Sequence, residues 1–251
     1  MDSSGSGRAF PADYDLDPAR FDASVRAHEA FAMASDVHPI VADQLAEVGA
    51  VRVLDLGGRR SAEPAGWEGH GAGAGRLAGL LPERGIWAVV LDRAQHVRRA
   101  PPPHVLADAT QLPFQAGCFD AVAALYVLYH LDQPLRALRE ARRVLRAGGT
   151  FVACTTGRTN EPELASVLPD WGRPTSFDAE QAARIVGQVF HVTQVVSWDQ
   201  PYVLLPDEAA VALYLRGRGL TEREARRRAA GVTTPVRVTK RGMLVWARTR
   251  T

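Results

Sequence analysis

The chain is poor in cysteine and nearly devoid of lysine. Cys118 and Cys154 are its only cysteines. Neither has a neighbour at metal-ligand spacing, so no cysteine-based metal centre is expected. Two isolated thiols fit a reducing cytoplasm, and Cys154 in the apolar run "TFVACTT" reads as a small buried residue. Lys240 is the only lysine, so almost all positive charge is arginine, and Ala is abundant. That balance reads first as a GC-rich coding bias. The formal net charge is +2, which gives no electrostatic argument for a nucleic-acid or membrane partner. No apolar run approaches membrane-spanning length. The start "MDSSGSGRAF" lacks a basic stretch followed by an apolar core, so no signal peptide is expected.

At 251 residues the chain suits one domain, or one domain with a sizeable insertion, and can bury a full core. Residues 1–12 are expected to be disordered. Asp17-Pro18 is a good cap and first-turn pair for a helix in which Phe21, Val25, His28 and Ala32 recur at helical spacing. "HPIVADQLAEVGA" is a second amphipathic helix, ended by Gly49. Residues 13–49 thus form a helical amino-terminal segment.

From residue 50 onward short apolar runs alternate with helical patterns. "VRVLDL", "GIWAVVLD", "PHVLAD", "FDAVAALYVL" and "TFVACTT" read as strands. "GRLAGLLPE" and "PLRALREARRVLRAGG" read as helices, the second with Leu135, Leu138, Ala141, Val144 and Leu145 on one face and Gly148-Gly149 as its stop. This alternation implies βαβ units, a mostly parallel sheet and ligand binding at the carboxyl ends of the strands. "DAEQAARIVGQVF", "PDEAAVALYLRGRGL" and "TEREARRRAAG" are later helices, "HVTQVVSW" and "GMLVWAR" later strands. The helices from about 205 to 235 form an insertion near the carboxyl end of the chain.

The strand ends carry the chemistry. The first ends in Asp55-Leu56-Gly57-Gly58, where glycines let the backbone approach a ligand and the following helix start favours an anionic group. The second ends at Asp92, next to Arg93. An acid there can accept hydrogen bonds from both hydroxyls of a ribose. The third ends at Asp108-Ala109, where a carboxylate can accept an exocyclic amine. Tyr129 and His130 lie just beyond the fourth.

Taken in order, "VLDLGG", "VVLD", "ADATQLPF", "FDAV", "LYHL" and "RVLRAGGTFV" resemble the class I S-adenosylmethionine-dependent methyltransferases, in their small-molecule branch, over about residues 51–156. The resemblance implies a Rossmann-like seven-stranded sheet with helices on both faces and the last strand antiparallel. It implies S-adenosyl-L-methionine as cofactor, S-adenosyl-L-homocysteine as product and no metal. Gly57 then matches the first motif glycine, Asp92 the ribose acid, and Asp108 and Ala109 the adenine-edge pair. Leu125 and Tyr126 fall where the backbone meets the methionine part. His130 matches a position near the transferred methyl, where it serves as a general base or packs without titrating.

The pattern departs from the family at the glycine turn. A family member runs Asp-Leu-Gly-x-Gly-x-Gly straight into a helix. Here Gly57-Gly58 are followed by an insert over residues 59–72, and Gly73-Ala74-Gly75-Arg76-Leu77-Ala78 come after it. One reading is a single motif split by a loop, with Gly73 and Gly75 resuming it. The other is a turn made by Gly58-Arg59-Arg60, with the second cluster a linker. Trp67 and His70 belong to the insert, as a lid or as solvated loop. Asp55 either touches ligand or orders the glycine loop.

The acceptor should be chosen by the amino-terminal segment and the final third. Tyr14 and Phe21 are cover aromatics, and Trp171, Trp198 and Tyr202 pocket candidates, each with core packing as its alternative. "EREARRR", with Glu222 and Glu224 at helical spacing, reads as a solvated, ion-paired face. No Asn/Asp-Pro-Pro-aromatic motif follows the fourth strand, which speaks against methylation of DNA bases. The function expected is methyl transfer to oxygen, nitrogen or carbon of a small molecule, with secondary metabolites among the expected acceptors. The alternatives are a protein that binds the cofactor without methyl transfer and a nicotinamide-dependent oxidoreductase. The second leaves "ADATQLPF" and "RVLRAGG" unexplained. Oligomeric state is not legible.

Overall fold

The computed structural model describes residues 17–34, 37–57, 75–93, 97–98, 100 and 102–250. The helices are α1 (Pro18–Phe31), α2 (Val37–Glu47), α3 (Arg76–Leu80), α4 (Pro134–Val144), α5 (Ala179–Gly187), α6 (Glu208–Gly217) and α7 (Glu222–Ala229). The strands are β1 (Arg52–Leu56), β2 (Trp87–Asp92), β3 (His104–Leu106), β4 (Phe119–Leu125), β5 (Leu145–Thr156), β6 (His191–Leu205) and β7 (Val236–Arg248).

All seven strands join one sheet in the order β3-β2-β1-β4-β5-β7-β6. β1 to β5 are mutually parallel, and β7 runs antiparallel to both β5 and β6. This is the Rossmann-like sheet with an antiparallel last strand that the sequence implies. Its central strands are buried on both sides, which is why they read as unbroken apolar runs. One face packs Leu54, Leu56, Val122, Ala124 and Phe151 under α4 and α5. The other packs Val53, Ala121, Ala123, Val152 and Cys154 under α2 and Leu77 of α3.

Three local expectations need correction. α4 ends at Val144, not at the glycine pair, because Leu145 already pairs with Phe119 at the start of β5. Gly148 takes φ +70° in the resulting bulge, and a Cβ on Gly149 would sit 3.1 Å from the Asp120 carbonyl. The third strand is shorter than "PHVLAD", leaving Asp108 beyond it. The last two strands are longer than expected. β5 ends where Thr156 meets Gly242, but β6 and β7 stay paired through Asp199–Arg241 to Leu205–Val236.

That extension shapes the site. At about 3.3 Å per residue, the β6–β7 ribbon rises roughly 20 Å past the carboxyl end of β5. Its far part carries a third core, in which Ala27 of α1, Leu164, Val211, Tyr214 and Leu215 of α6 and Ala225 and Ala229 of α7 pack on Val203, Leu205 and Val238. α1 crosses α6 so closely that a Cβ on Gly217 would lie 2.7 Å from Ser24 Cα. Asp17 caps α1, and its carboxylate also pairs with Arg216 of α6. The amino-terminal helix and the carboxyl-terminal helices are therefore one structural unit beside the strand ends.

Candidate active site

The carboxyl edge of β1, β2 and β4 forms the floor. Gly57 leaves β1 with φ +77°, a left-handed conformation that only glycine adopts at no steric cost. A side chain there would also collide with Val127, whose Cβ would lie 2.6 Å from the added carbon. The Gly57 N–H donates to the Leu91 carbonyl at 2.7 Å, tying the turn to β2.

Asp55, one pleat earlier, is 4 % exposed. Burial pushes its carboxyl up to about 7, against the opposing effects of His38 and of the Ala78 N–H that it accepts. Ala78 is the third residue of α3, and the N-cap of α3 is Gly75, in the left-handed conformation with no side chain to offer. Asp55 therefore supplies, from the far side of the insert, the acceptor that a capping side chain would give.

Asp92 closes β2 and is 7 % exposed. Arg93 beside it is exposed. Asp108 lies in the turn after β3 and is exposed. Its Oδ1 accepts the Thr110 N–H at 2.7 Å and the Thr110 hydroxyl at 2.8 Å. Ala109, next in the turn, is half-buried. Leu125 ends β4 buried, and Tyr126 follows with φ +56°. Positive φ at a bulky aromatic is a backbone outlier of the kind that gathers at functional sites. The Tyr126 N–H donates to the Cys154 carbonyl at 3.0 Å, which holds the turn against β5. A single 3₁₀ turn, Leu128–His130, then presents Tyr129 and His130, their ring centroids 4.4 Å apart.

Beyond β5 lies a cleft of about 210 Å³. Thr156, Gly157, Arg158, Asn160, Trp171, Thr175, Asp178 and Arg218 are among its walls. Ser176, beside Thr175, donates its hydroxyl to the Tyr129 carbonyl at 3.3 Å, so the cleft adjoins the His130 turn. The Trp171 indole N–H donates to the Asn160 carbonyl at 2.8 Å.

The sequence candidates separate here. Gly57, Asp92, Leu125, Tyr126, Tyr129 and His130 lie at the carboxyl ends of adjacent strands, with Asp108 and Ala109 in the turn past β3. Trp171 lines the cleft. Trp198 instead lies across Gly242, where a Cβ would come within 2.8 Å of its ring, and packs with the α2-side core. Tyr202 packs against the third core, with its ring 6.4 Å from His28 of α1. Tyr14, Gly58, Gly73, Trp67 and His70 lie outside the described residues, as does the side chain of Phe21.

Sequence reasoning missed a buried cluster behind the cleft. Glu161 is 2 % exposed and has φ +65°. It accepts from Arg218 Nε at 3.0 Å, Lys240 Nζ at 2.6 Å and the Tyr214 hydroxyl at 2.8 Å. Burial alone would raise the Glu161 carboxyl, but the Arg218 and Lys240 charges outweigh it and hold the group far below the usual carboxylate range. The one available signal was the lone lysine in an arginine-rich chain.

Residues 70–153 match a family model described as a methyltransferase domain, and the match opens at the second glycine cluster. A demethylmenaquinone methyltransferase of Mycolicibacterium paratuberculosis is 31 % identical over 153 residues, or 55 % of this chain and 60 % of that protein. A ubiquinone/menaquinone biosynthesis C-methyltransferase of Brucella canis is 28 % identical over 123 residues, 46 % of this chain and 43 % of that protein. The matched region thus spans less than two thirds of these curated relatives. Among solved structures, the [4+2]-cyclase SpnF superposes with a TM-score of 0.58 at 18 % identity, covering 95 % of this chain and 94 % of its own. A SAM-dependent methyltransferase of Archaeoglobus fulgidus superposes with a TM-score of 0.50 at 16 % identity, covering 84 % of this chain and 94 % of its own.

Proposed function

We propose that the chain is a class I S-adenosylmethionine-dependent methyltransferase, a reading supported by the methyltransferase-domain match over residues 70–153 and by the likeness to a demethylmenaquinone methyltransferase, and that it methylates an oxygen, nitrogen or carbon nucleophile of a small molecule. The observation that carries the reading is the pairing of a side-chain-free turn at Gly57 with a buried carboxylate at Asp92 on neighbouring strand ends. Such a pair fits a nucleoside whose ribose hydroxyls need an acceptor and whose remaining atoms need close backbone approach.

In this reading Asp92 accepts the ribose hydroxyls, with Arg93 beside it. Asp108 and Ala109 border the adenine edge. Gly57 and Gly75 leave room for the methionine part, and the sequence pattern assigns the same role to Gly58 and Gly73. The backbone of Leu125 and Tyr126 lines the same space. The bound cofactor supplies an electrophilic methyl on a sulfonium. The chain's own work is to hold acceptor and methyl in line and to exclude water, which can supply much of the rate. His130 takes the proton when the acceptor nucleophile is an O–H or N–H. Tyr129 and Trp171 contact the acceptor. The products are the methylated acceptor and S-adenosyl-L-homocysteine.

The names of the relatives make quinols the first acceptors to try, and the compact α1–α6–α7 unit supports a small metabolite, including one of secondary metabolism. Incubation with methyl-labelled S-adenosylmethionine and a panel of quinols, phenols and amines tests the reading. The expected result is label in one acceptor class, with the rate lowered at least tenfold in His130→Ala for a protic nucleophile. Binding of S-adenosylhomocysteine with no turnover across the panel would favour a protein that uses the pocket without transferring methyl.

A further inference from the structure

The cluster behind the cleft is unbalanced in charge. Glu161 contributes one negative charge, and Arg218 and Lys240 each contribute a positive one. Both cations also lie over the ring of Tyr214, at 4.7 Å and 5.1 Å from its centroid. His28, 6.0 Å from Tyr214, adds no charge near neutrality, because burial and the two cations push its ring down to about 3. Burial, and then the Arg218 charge, lower the Lys240 ammonium to about 8 in spite of Glu161. Two cations share one carboxylate, and such an arrangement favours a second anion.

The rest of the cleft does not supply that anion. Arg158 is paired with Asp178 at 2.8 Å, and Arg173 with Asp170 at 2.7 Å. The Arg173–Asp170 pair is neutral, and Arg158 also faces Glu180 at 3.9 Å, a carboxylate that accepts the Arg158 N–H at 3.0 Å and is not among the cleft-lining residues. Arg218 Nε and Nη2 are taken by Glu161 and Tyr214, while its Nη1 has no partner among the described residues. The Arg218 side chain is 26 % exposed and is part of the cleft wall. Trp171 offers an aromatic surface in the same wall.

We propose that this cleft binds the acidic group of an aromatic acceptor, a carboxylate or an ionised phenol, through the free face of the Arg218 guanidinium backed by Lys240. Calling the ligand the acceptor rests on the methyl-transfer reading; the anion site itself does not. Arg218 is then a specificity residue, selecting acceptors by charge in a cleft whose Thr175 side adjoins the His130 turn. An acceptor held as its phenolate has already lost its proton. For such an acceptor His130 packs rather than abstracts.

The test is titration of sodium benzoate against its neutral isostere benzamide, followed by the indole N–H resonance of Trp171, assigned through Trp171→Phe. The protein is used alone and saturated with S-adenosylhomocysteine. Failure of S-adenosylhomocysteine to bind would count against the cofactor reading, while the benzoate arm still decides the anion site. The expected result is saturable benzoate binding at least tenfold tighter than benzamide, lost in Arg218→Met and largely retained in Arg218→Lys. If Arg218→Met does not fold, the benzoate–benzamide contrast in the wild type and its retention in Arg218→Lys carry the test. Equal response to the two probes, no response to either at 10-fold excess over millimolar protein, or benzoate binding unchanged in a folded Arg218→Met would overturn the proposal.

Discussion

The carboxyl of Asp55 accepts the backbone N–H of Ala78, so a strand-end acid on one side of the insert caps the helix that begins on the other. Gly57 and Gly75, one before and one after residues 59–72, both take left-handed φ angles of +77° and +66°.

The joint carries a pH signature. The Asp55 carboxyl is raised from 3.8 to about 7 by burial. Between those values the folded chain holds a proton that the unfolded chain has lost. The stabilisation from this group is therefore complete below 3.8 and disappears as pH rises through 7. Asp55→Asn keeps an acceptor for Ala78 without a charge. Urea midpoints at pH 5 and pH 8 should show the variant gaining on the wild type at the higher pH. A constant difference would contradict the assignment.

Gly57 should tolerate no side chain. Gly57→Ala places a residue in the left-handed region, at a cost of roughly 1–2 kcal/mol, and drives its Cβ into Val127. The expected result is a lower melting temperature and S-adenosylhomocysteine binding weakened at least tenfold. Val127→Ala on that background should return part of the loss, since it removes the collision but not the strain. A double-mutant cycle measures that share.

The close crossing of α1 and α6 predicts a separable effect at Gly217. Gly217→Ala forces a carbon against Ser24 backbone atoms 2.7–2.9 Å away. Overpacking of this kind costs about 1–3 kcal/mol. The strain should be relieved by release of α1 from α6, because the collision lies between these two helices. Limited proteolysis should cleave near α1 faster than in the wild type, while the digested sheet core keeps its far-ultraviolet circular dichroism.

Much of this was legible in the sequence, for a physical reason. β1 and β2 are buried apolar runs, the first leading into Gly57 and the second ending at Asp92, and β4 is a buried apolar run that opens on Phe119-Asp120, so "VLDLGG", "VVLD" and "FDAV" announce both strand and site. The ribbon was not legible. "DQPYVLL" contains Pro201, which argues against a strand interior, and "VRVTKR" is largely polar. Pro201 is tolerated because β6 is the edge strand and its register shifts just after that residue. The stop at Gly148-Gly149 misled because those glycines serve a strand bulge rather than a helix end. Trp198 and Tyr202 stayed open between pocket and core because composition cannot distinguish a cleft wall from a packed core; they pack with the α2-side core and the third core respectively. Glu161, Arg218 and Lys240 escaped because isolated charges in turn-rich segments read as surface.

The central claim is that the strand ends bind S-adenosylmethionine through Asp92. Calorimetric titration with S-adenosylhomocysteine, of the wild type beside Asp92→Ala, tests it most directly. The account predicts micromolar binding to the wild type and at least a tenfold loss in the variant, about 1.4 kcal/mol or more. No binding to the wild type, or equal binding by both proteins, would contradict it.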